Sequence, residues 1–371
     1  MLCYKFRLYP SKAVESTLAE HLEICRRLYN RLLEMKKNSR NQEPGHRSLQ
    51  SLLVDLKKND PELQKLYSKV LQMVNNQLHY NLKVLSTLKK RGKRVGSLRF
   101  KGEGRYNTLN YNQSGFSIDF ENKKLHLSKI GRISIKLHRN FEGNVKGLIV
   151  KRSGTGRWFA IFQVDESRAE PLPAMSRAVG IDVGVRHFLT DSDGRQIENP
   201  RFYGRALKRM RILQRSFSRK KNGSSNRRKA VMRLNNAYEK LASQRDDFLH
   251  KLSRFYVDNY DVIITEDLKI QKMARSRNYG RFILDAGWSR FFRMLSYKAA
   301  SAGRTVVKVN PAYTSQENED KMEDRDFRAS INILNRGLSG LGRPSVPVEI
   351  RPLQVIPASL IVETGSPIPS G

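Results

Sequence analysis

The stretch "RAVGIDVGVRHFLTDSDGRQI", Arg177–Ile197, decides the fold. It reads as two strands joined through Asp193-Gly194, a dipeptide with the backbone freedom a tight hairpin needs. Asp182 lies inside the first, apolar strand, with Gly180 and Gly184 close on either side. A glycine at such a place lets another backbone or a substrate come near. Downstream, "ALKRMRIL…VDNY" is a long basic helical region broken at "NGSSN". A buried strand "DVIITEDL" follows, then the helix "DAGWSRFFRMLSYKAASAG" with Phe291, Leu295, Ala299 and Ala302 on one face, then the strand "RTVVKVNP". Strands alternating with helices argue for an α/β layer fold.

Upstream the period changes twice. "LCYKFRLYP" puts Leu2, Tyr4, Phe6 and Leu8 on one face and Lys5 and Arg7 on the other, the period of a strand. From Lys12, Val14, Leu18, Leu22, Cys25, Leu28 and Leu32 form a helical stripe, which makes Cys25 a core thiol. A short helix carries Leu49, Leu52, Leu53 and Leu56. A longer one is predicted to open at Asp60-Pro61 and run through Leu63, Leu66, Val70 and Leu78 to Leu85. It stops at the basic turn "KKRGKRVG". From Leu98 to Asp165 the chain alternates apolar and polar like a small β-barrel, which the first strand would join. "RSGTGRW" lacks the GK[ST] of a phosphate loop and reads as a hairpin turn. "ESRAEPLPAMS" reads as a linker, and the Pro-, Gly- and Ser-rich chain after Gly337 as a loosely ordered tail.

Charge points to a partner. The 371 residues hold 70 Lys+Arg against 35 Asp+Glu, a net +35. So large an excess favours a polyanion, because cations that neutralise phosphates release condensed counterions. Membrane binding is not expected: no apolar run would span a bilayer, and the N-terminus lacks a signal peptide's apolar core. Two cysteines, Cys3 and Cys25, exclude a disulfide framework and an all-cysteine zinc site within one chain, and a reducing cytoplasm is the default. Tyr4, Tyr9, Tyr106 and Tyr111 are aromatics that could stack on bases, though most strand aromatics belong to a core. His187 and His250 read as hairpin-surface and helix-packing residues.

Three carboxylates stand apart. Asp182 is in a buried strand, Glu266 ends the strand "VIITE", and Asp326 opens the helical pattern "FRASINIL". The C-terminal ends of strands are where open α/β sheets keep their sites. Three such groups in a basic chain suit hard divalent cations acting on a phosphodiester.

With these residues in view, the chain resembles the TnpB (OrfB) family of transposon-encoded RNA-guided nucleases, related to type V CRISPR effectors. The resemblance rests on "YKFRLYPSKAVESTLAEHLEICRRLYNRLLE", "RFYGRALKRMRILQRSFSRKKNGSSNRRKA" and "QRDDFLHKLS". It rests also on "GIDVGVRHFLTDSDG", "VIITEDLKIQKMAR", "DAGWSRF" and "NPAYTSQ" followed by "DRDFRASINIL", in family order. It implies a multidomain α+β protein. Residues 1–10 and 97–168 would form a β-barrel wedge domain, 11–96 a helical recognition insertion, and 169–176 a linker. Residues 177–336 would form an α/β RuvC-like (RNase H-like) nuclease domain, with 337–371 as the tail.

The resemblance further implies a guide RNA, a double-stranded DNA target with a short flanking motif, Mg²⁺ or Mn²⁺, and a monomeric ribonucleoprotein in a prokaryotic cytoplasm, at the nucleoid. Asp182, Glu266 and Asp326 take the positions of the metal triad; Asp324 is the alternative third member. The expected nucleic-acid contacts are Lys5, Arg7, Arg26, Arg27, Lys93, Arg94, Arg99, Lys101, Arg219, Lys220, Lys221, Arg227, Arg228 and Arg328.

Two departures stand out. "YTSQ" leads into "ENEDKMEDRDF", without Cys or His, where the family carries a zinc ribbon, so no zinc is expected. Glu317, Glu319, Asp320 and Glu323 then read as a solvated loop that stays off DNA. Arg328 stands where the family has Asn, and would either disturb metal binding or point to DNA. Two readings follow: a cleaving enzyme, or a guided DNA-binding protein that cuts poorly or not at all.

Overall fold

The computed structural model describes residues 2–38, 45–165, 171–173, 175–311, 325–342, 344 and 353–363. The chain divides into two compact units, 1–167 and 168–371.

The first unit opens with β1 (Leu2–Tyr9), whose Phe6 and Leu8 are buried. Four helices follow: α1 (Lys12–Asn38), α2 (His46–Asn59), α3 (Pro61–Gln64) and α4 (Ser68–Lys90). Then come β2 (Thr108–Asn112), β3 (Phe116–Asp119), β4 (Lys124–Leu127), β5 (Gly131–Lys136), β6 (Asn144–Arg152) and β7 (Trp158–Asp165). The seven strands form one antiparallel sheet in the order β2-β6-β7-β1-β5-β4-β3. Its two edge strands, β2 and β3, are neighbours in sequence. Six strand spacings would hold the edges of a flat sheet about 29 Å apart. The four Cα steps from Asn112 to Phe116 reach about 15 Å at most. The sheet must therefore curl, and it is barrel-like.

The long helix expected from Asp60 is in fact two. Asp60 caps α3 by accepting from the Glu62 amide, and the chain then breaks before α4. At the break Tyr67 turns onto the sheet: its ring stacks on Tyr111 and its hydroxyl meets Ser114. That ring occupies the space beside Gly115, where an added Cβ would lie 2.4 Å from it. Cys25 is fully buried, and burial pushes its thiol far above the ordinary range.

The second unit holds β8 (Ala178–Asp182), β9 (His187–Asp191), β10 (Arg195–Glu198), α5 (Phe202–Ser218), α6 (Ser225–Asn259) and β11 (Val262–Glu266). Next are α7 (Ile270–Met273), α8 (Gly280–Ala286), α9 (Trp288–Ser301) and β12 (Thr305–Val309). Last are α10 (Arg325–Gly340), β13 (Gln354–Ile356) and α11 (Ala358–Glu363). The sheet order is β12-β11-β8-β9-β10-β13. Where two strands were expected across Arg177–Ile197 there are three. The connecting Val183–Arg186 is as apolar as its flanks, so the β8–β9 hairpin carries no turn signature.

The tail is corrected as well. α10 continues through buried Gly337 and Leu338, β13 pairs in parallel with β10, and Ile356, Ala358 and Ile361 are buried. The second half of the expected linker is also bound: the Leu172 amide donates to Ala302, and Arg304 holds the carbonyls of Leu172 and Pro173.

Alternation along β8 sorts the two faces of this sheet. Val179 and Ile181 join the core shared with α6 and α9. Gly180 faces α10 so closely that an added Cβ would lie 2.1 Å from the Ser330 carbonyl oxygen and 2.7 Å from the Leu334 amide. On the helix side, an added Cβ at Gly337 would lie 2.5 Å from Ile264 of β11. Two missing side chains thus seat α10 on β8 and β11. Gly180→Ala is expected to lower stability by about 1–3 kcal/mol, as overpacking does, measured by urea unfolding. A substitution as stable as the parent would show that α10 is not held there.

Candidate active site

β8 and β11 are parallel neighbours, with Ile181 opposite Thr265. Their last residues, Asp182 and Glu266, therefore emerge at the same edge. Both are one alternation on from residues that face α10, Gly180 and Ile264, so they share α10's side of the sheet. Beyond this point the chain turns from β8 to β9 on one side, while β12 adds to β11 on the other. A crevice at such a reversal of strand order is where open α/β sheets place their ligands.

α10 supplies the third carboxylate. Ser330 sits over Gly180; Asp326 is one turn earlier, about 6 Å toward the helix start. Asp182 is two residues beyond Gly180, about 6.6 Å along the strand. The two displacements bring Asp326 toward Asp182. Gly184 borders the same space: a Cβ there would lie 3.7 Å from Asp326 Oδ2, an ordinary contact distance. Asp326 also sits in the first helical turn, where the helix dipole favours an anion.

Electrostatics register the crowding. Burial, then the Glu266 and Asp326 carboxylates, push Asp182 up to about 7, against a backbone hydrogen bond from Val183 and the charge of Arg325. All three donors are hard carboxylate oxygens, the ligand type that Mg²⁺ and Mn²⁺ prefer, and so fit a divalent cation. Among the described residues no three His, Cys, Asp or Glu side chains form a ready-made metal cage. An ion here would complete its shell with waters or phosphate oxygens, as Mg²⁺ commonly does.

A cleft of about 460 Å³ opens beside Glu266, lined also by Lys269, Arg293 and Lys308. Sequence reading missed these three cations because they come from α9, β12 and the residue before α7. It also missed Asp285 of "DAGWSRF", which accepts from the Tyr203 and Gly204 amides at the start of α5 and pairs with Arg245. An aspartate next to a helical pattern reads as its own cap, and only the fold reveals the distant helix.

The expected nucleic-acid contacts divide. The Arg26 guanidinium is engaged within the fold, by Glu23 and the Lys101 carbonyl. So is Lys101, its ammonium 4.4 and 4.5 Å from the Tyr29 and Tyr106 ring centres. Arg227 folds back onto Phe217 and the Lys220 carbonyl. Lys5 and Arg7 lie over Phe159, and Arg27 pairs with Glu62. Lys93, Arg94, Arg99, Arg219, Lys220, Lys221 and Arg228 are exposed, and Arg328 is half-buried in α10. Tyr106 and Tyr111 are core residues, while Tyr9 is exposed. His187 opens β9 half-buried, and His250 lies exposed on α6. Asp324, Glu317, Glu319, Asp320 and Glu323 lie outside the described residues.

Comparison with known proteins points to one family. A family model described as "Probable transposase" (OrfB_IS605) matches residues 161–277. One described as "Cas12f1-like, TNB domain" matches 288–321, and a "Helix-turn-helix domain" model matches 1–44. Within that last stretch the described residues form a strand and one long helix, β1 and α1. The putative RNA-guided DNA endonuclease InsQ of Escherichia coli is 30% identical, over 97% of this chain and 98% of its own. A putative RNA-guided DNA endonuclease of Streptomyces pristinaespiralis is 28% identical over 91% of this chain and 89% of its own. Among solved structures, a Cas12f1–sgRNA–target DNA complex matches in fold with TM-score 0.53 and 15% identity, over 88% of this chain and 83% of that one. No described helix is long and apolar enough to cross a membrane.

The raised Asp182 gives a pH test. Its folded value lies above the ordinary 3.8. The stability it lends is therefore full below that value and is lost as pH rises through about 7. Asp182→Asn keeps the neutral form throughout. In EDTA it is expected to melt several degrees above the parent at pH 8, with the gap closing toward pH 4, by differential scanning fluorimetry. A gap independent of pH would contradict the crowding.

Proposed function

We propose that this chain, which belongs to the TnpB (OrfB) family of RNA-guided nucleases related to type V CRISPR effectors, binds a transposon-derived guide RNA and cleaves matching DNA beside a short flanking motif. The observation that carries the reading is the convergence of Asp182, Glu266 and Asp326 on one sheet edge, where burial and then the other two carboxylates push Asp182 up to about 7. No ordinary stability argument favours three carboxylates there, since their mutual repulsion and desolvation oppose folding.

In this reading Asp182, Glu266 and Asp326 hold Mg²⁺ or Mn²⁺. When bound, the ions supply Lewis acidity to the phosphodiester and lower the pKa of water, the chemistry of two-metal hydrolysis. The chain's own work is positioning. The α10 seat on Gly180 fixes Asp326 against Asp182. Lys269, Arg293 and Lys308 line the cleft beside Glu266 and would hold the phosphates next to the scissile one. Guide pairing reads the sequence, while the protein grips backbone and heteroduplex shape. The barrel-like sheet, the inserted helices and the second unit correspond in this reading to the wedge, recognition and RuvC-like domains.

One observation favours a second reading, guided binding without cutting: Arg328 stands in α10 two residues after Asp326, where the family has Asn. The experiment that separates them uses the protein purified with its co-expressed RNA and matched DNA in Mg²⁺. Cleavage is expected, with Asp182→Ala reducing it by at least a thousandfold while target binding persists. Tight guided binding with no cuts, indifferent to that substitution, would establish the second reading.

Salt gives an independent check. Between 50 and 200 mM salt, affinity for nucleic acid is expected to fall by about 10³-fold or more, as for proteins with six or more phosphate contacts. A nearly flat dependence would rule out phosphate recognition as the source of affinity.

A further inference from the structure

Away from the carboxylates, a groove of about 850 Å³ runs between α5 and α6 and reaches the start of α11. Its floor is apolar, with Met210, Leu213, Ala237 and Leu241. Its rim is cationic, with Arg205, Arg209, Arg233 and Lys240, and no carboxylate lines it. Arg209, Arg233 and Lys240 have no salt-bridge partner among the described residues. Arg205 has Glu198 at 3.7 Å, with both side chains exposed. The chain carries no Asp or Glu from Asn199 to Tyr238, so the positive strip continues along both helices to exposed Arg219, Lys220, Lys221 and Arg228. Uncompensated charge at this density opposes folding, and a bound anion would relieve it.

We propose that this groove holds an unpaired segment of the guide RNA, bases on the apolar floor and phosphates on the cationic rim; the proposal rests on the RNA-guided reading above. An unpaired strand fits better than a duplex, which hides its bases and would leave the floor uncovered. An acidic amphipathic helix could fill the floor, but it would leave unmatched a strip that runs the length of α5, about 25 Å. RNA fits better than the DNA being cut for a positional reason. α11 follows β13, and the Ala358 amide donates to Glu198 at the end of β10. The groove thus lies toward the β10–β13 side, while the carboxylates stand at β8, β11 and α10. A strand that must survive belongs away from the groups that hydrolyse.

The test uses the full chain and its co-expressed RNA. Two variants are compared with the parent after matching their melting curves: the pair Arg209→Glu/Arg233→Glu, and Ala237→Trp, which fills the floor without changing charge. Should the charge reversal fail to fold, Arg209→Gln/Arg233→Gln replaces it. RNA affinity is measured by filter binding across a salt series, beside single-stranded DNA of the same length. The charge variant is expected to bind RNA at least tenfold more weakly, with the log–log salt slope smaller by about 2. Ala237→Trp is expected to weaken RNA binding several-fold at unchanged slope. Parent-like RNA binding by both variants would overturn the proposal, and so would a loss confined to single-stranded DNA, which would assign the groove to a DNA strand. Failure of the parent itself to bind the co-expressed RNA would overturn the guided reading along with it.

Discussion

The close approach of α10 to β8 is the contact on which the second unit's site depends. Gly180 has no side chain, so a helix backbone can lie directly on the strand, and Gly337 does the same service over Ile264. Val262, Ile264, Ile333, Leu334 and Leu338 then close around the seat as a small apolar core. Once the helix is seated, the rise per residue of helix and strand leaves Asp326 little freedom but to meet Asp182. A larger residue at Gly180 would displace a carboxylate by displacing the backbone that carries it.

A second constraint runs through the whole chain: its carboxylates are few and its cations many. Most acidic groups in the second unit have structural work. Asp191 is fully buried, accepting from the Arg195 amide and the Tyr256 hydroxyl, and pins the β9–β10 turn to α6. Asp261 pairs with Arg304 and accepts from the amides of Met175 and Arg177. Asp285 caps α5. Against that background, Asp182, Glu266 and Asp326 are the exception in lying close enough for their charges to act on one another: burial first, then the other two carboxylates, push Asp182 up to about 7.

Much of this was legible in the sequence, for physical reasons that also explain the gaps. Asp182 and Glu266 could be placed because an acidic residue ending an apolar strand is a local pattern. Asp326 could be placed because a helical stripe begins beside it. The β8–β9 hairpin was not legible, since Val183–Arg186 lacks turn chemistry. Nor was β13, whose three residues become a strand only because β10 offers an open edge. The break between α3 and α4 depends on Tyr67 finding a place over Gly115, a contact 48 residues away in sequence that no periodicity encodes. The cations of the cleft beside Glu266 come from three separate elements, so no single stretch announced them.

Net charge overstated what the cations do, and their distribution corrects it. Arg26, Lys101, Arg227, Arg195 and Arg304 are positive in composition yet spend their charge inside the fold, on carbonyls, aromatic rings and carboxylates. Guanidinium groups suit this work because one planar fork can satisfy several acceptors at once. What remains for a polyanion is a smaller set, and in the second unit it is segregated. One group lines the cleft beside Glu266, where Lys308 also pairs with Asp267; another follows the α5–α6 hairpin, whose groove no carboxylate lines among the described residues, Glu198 standing 3.7 Å from Arg205 at its rim. In the proposed reading, where one strand is gripped and another cut, such a separation would keep a phosphate held on the hairpin away from the acidic edge.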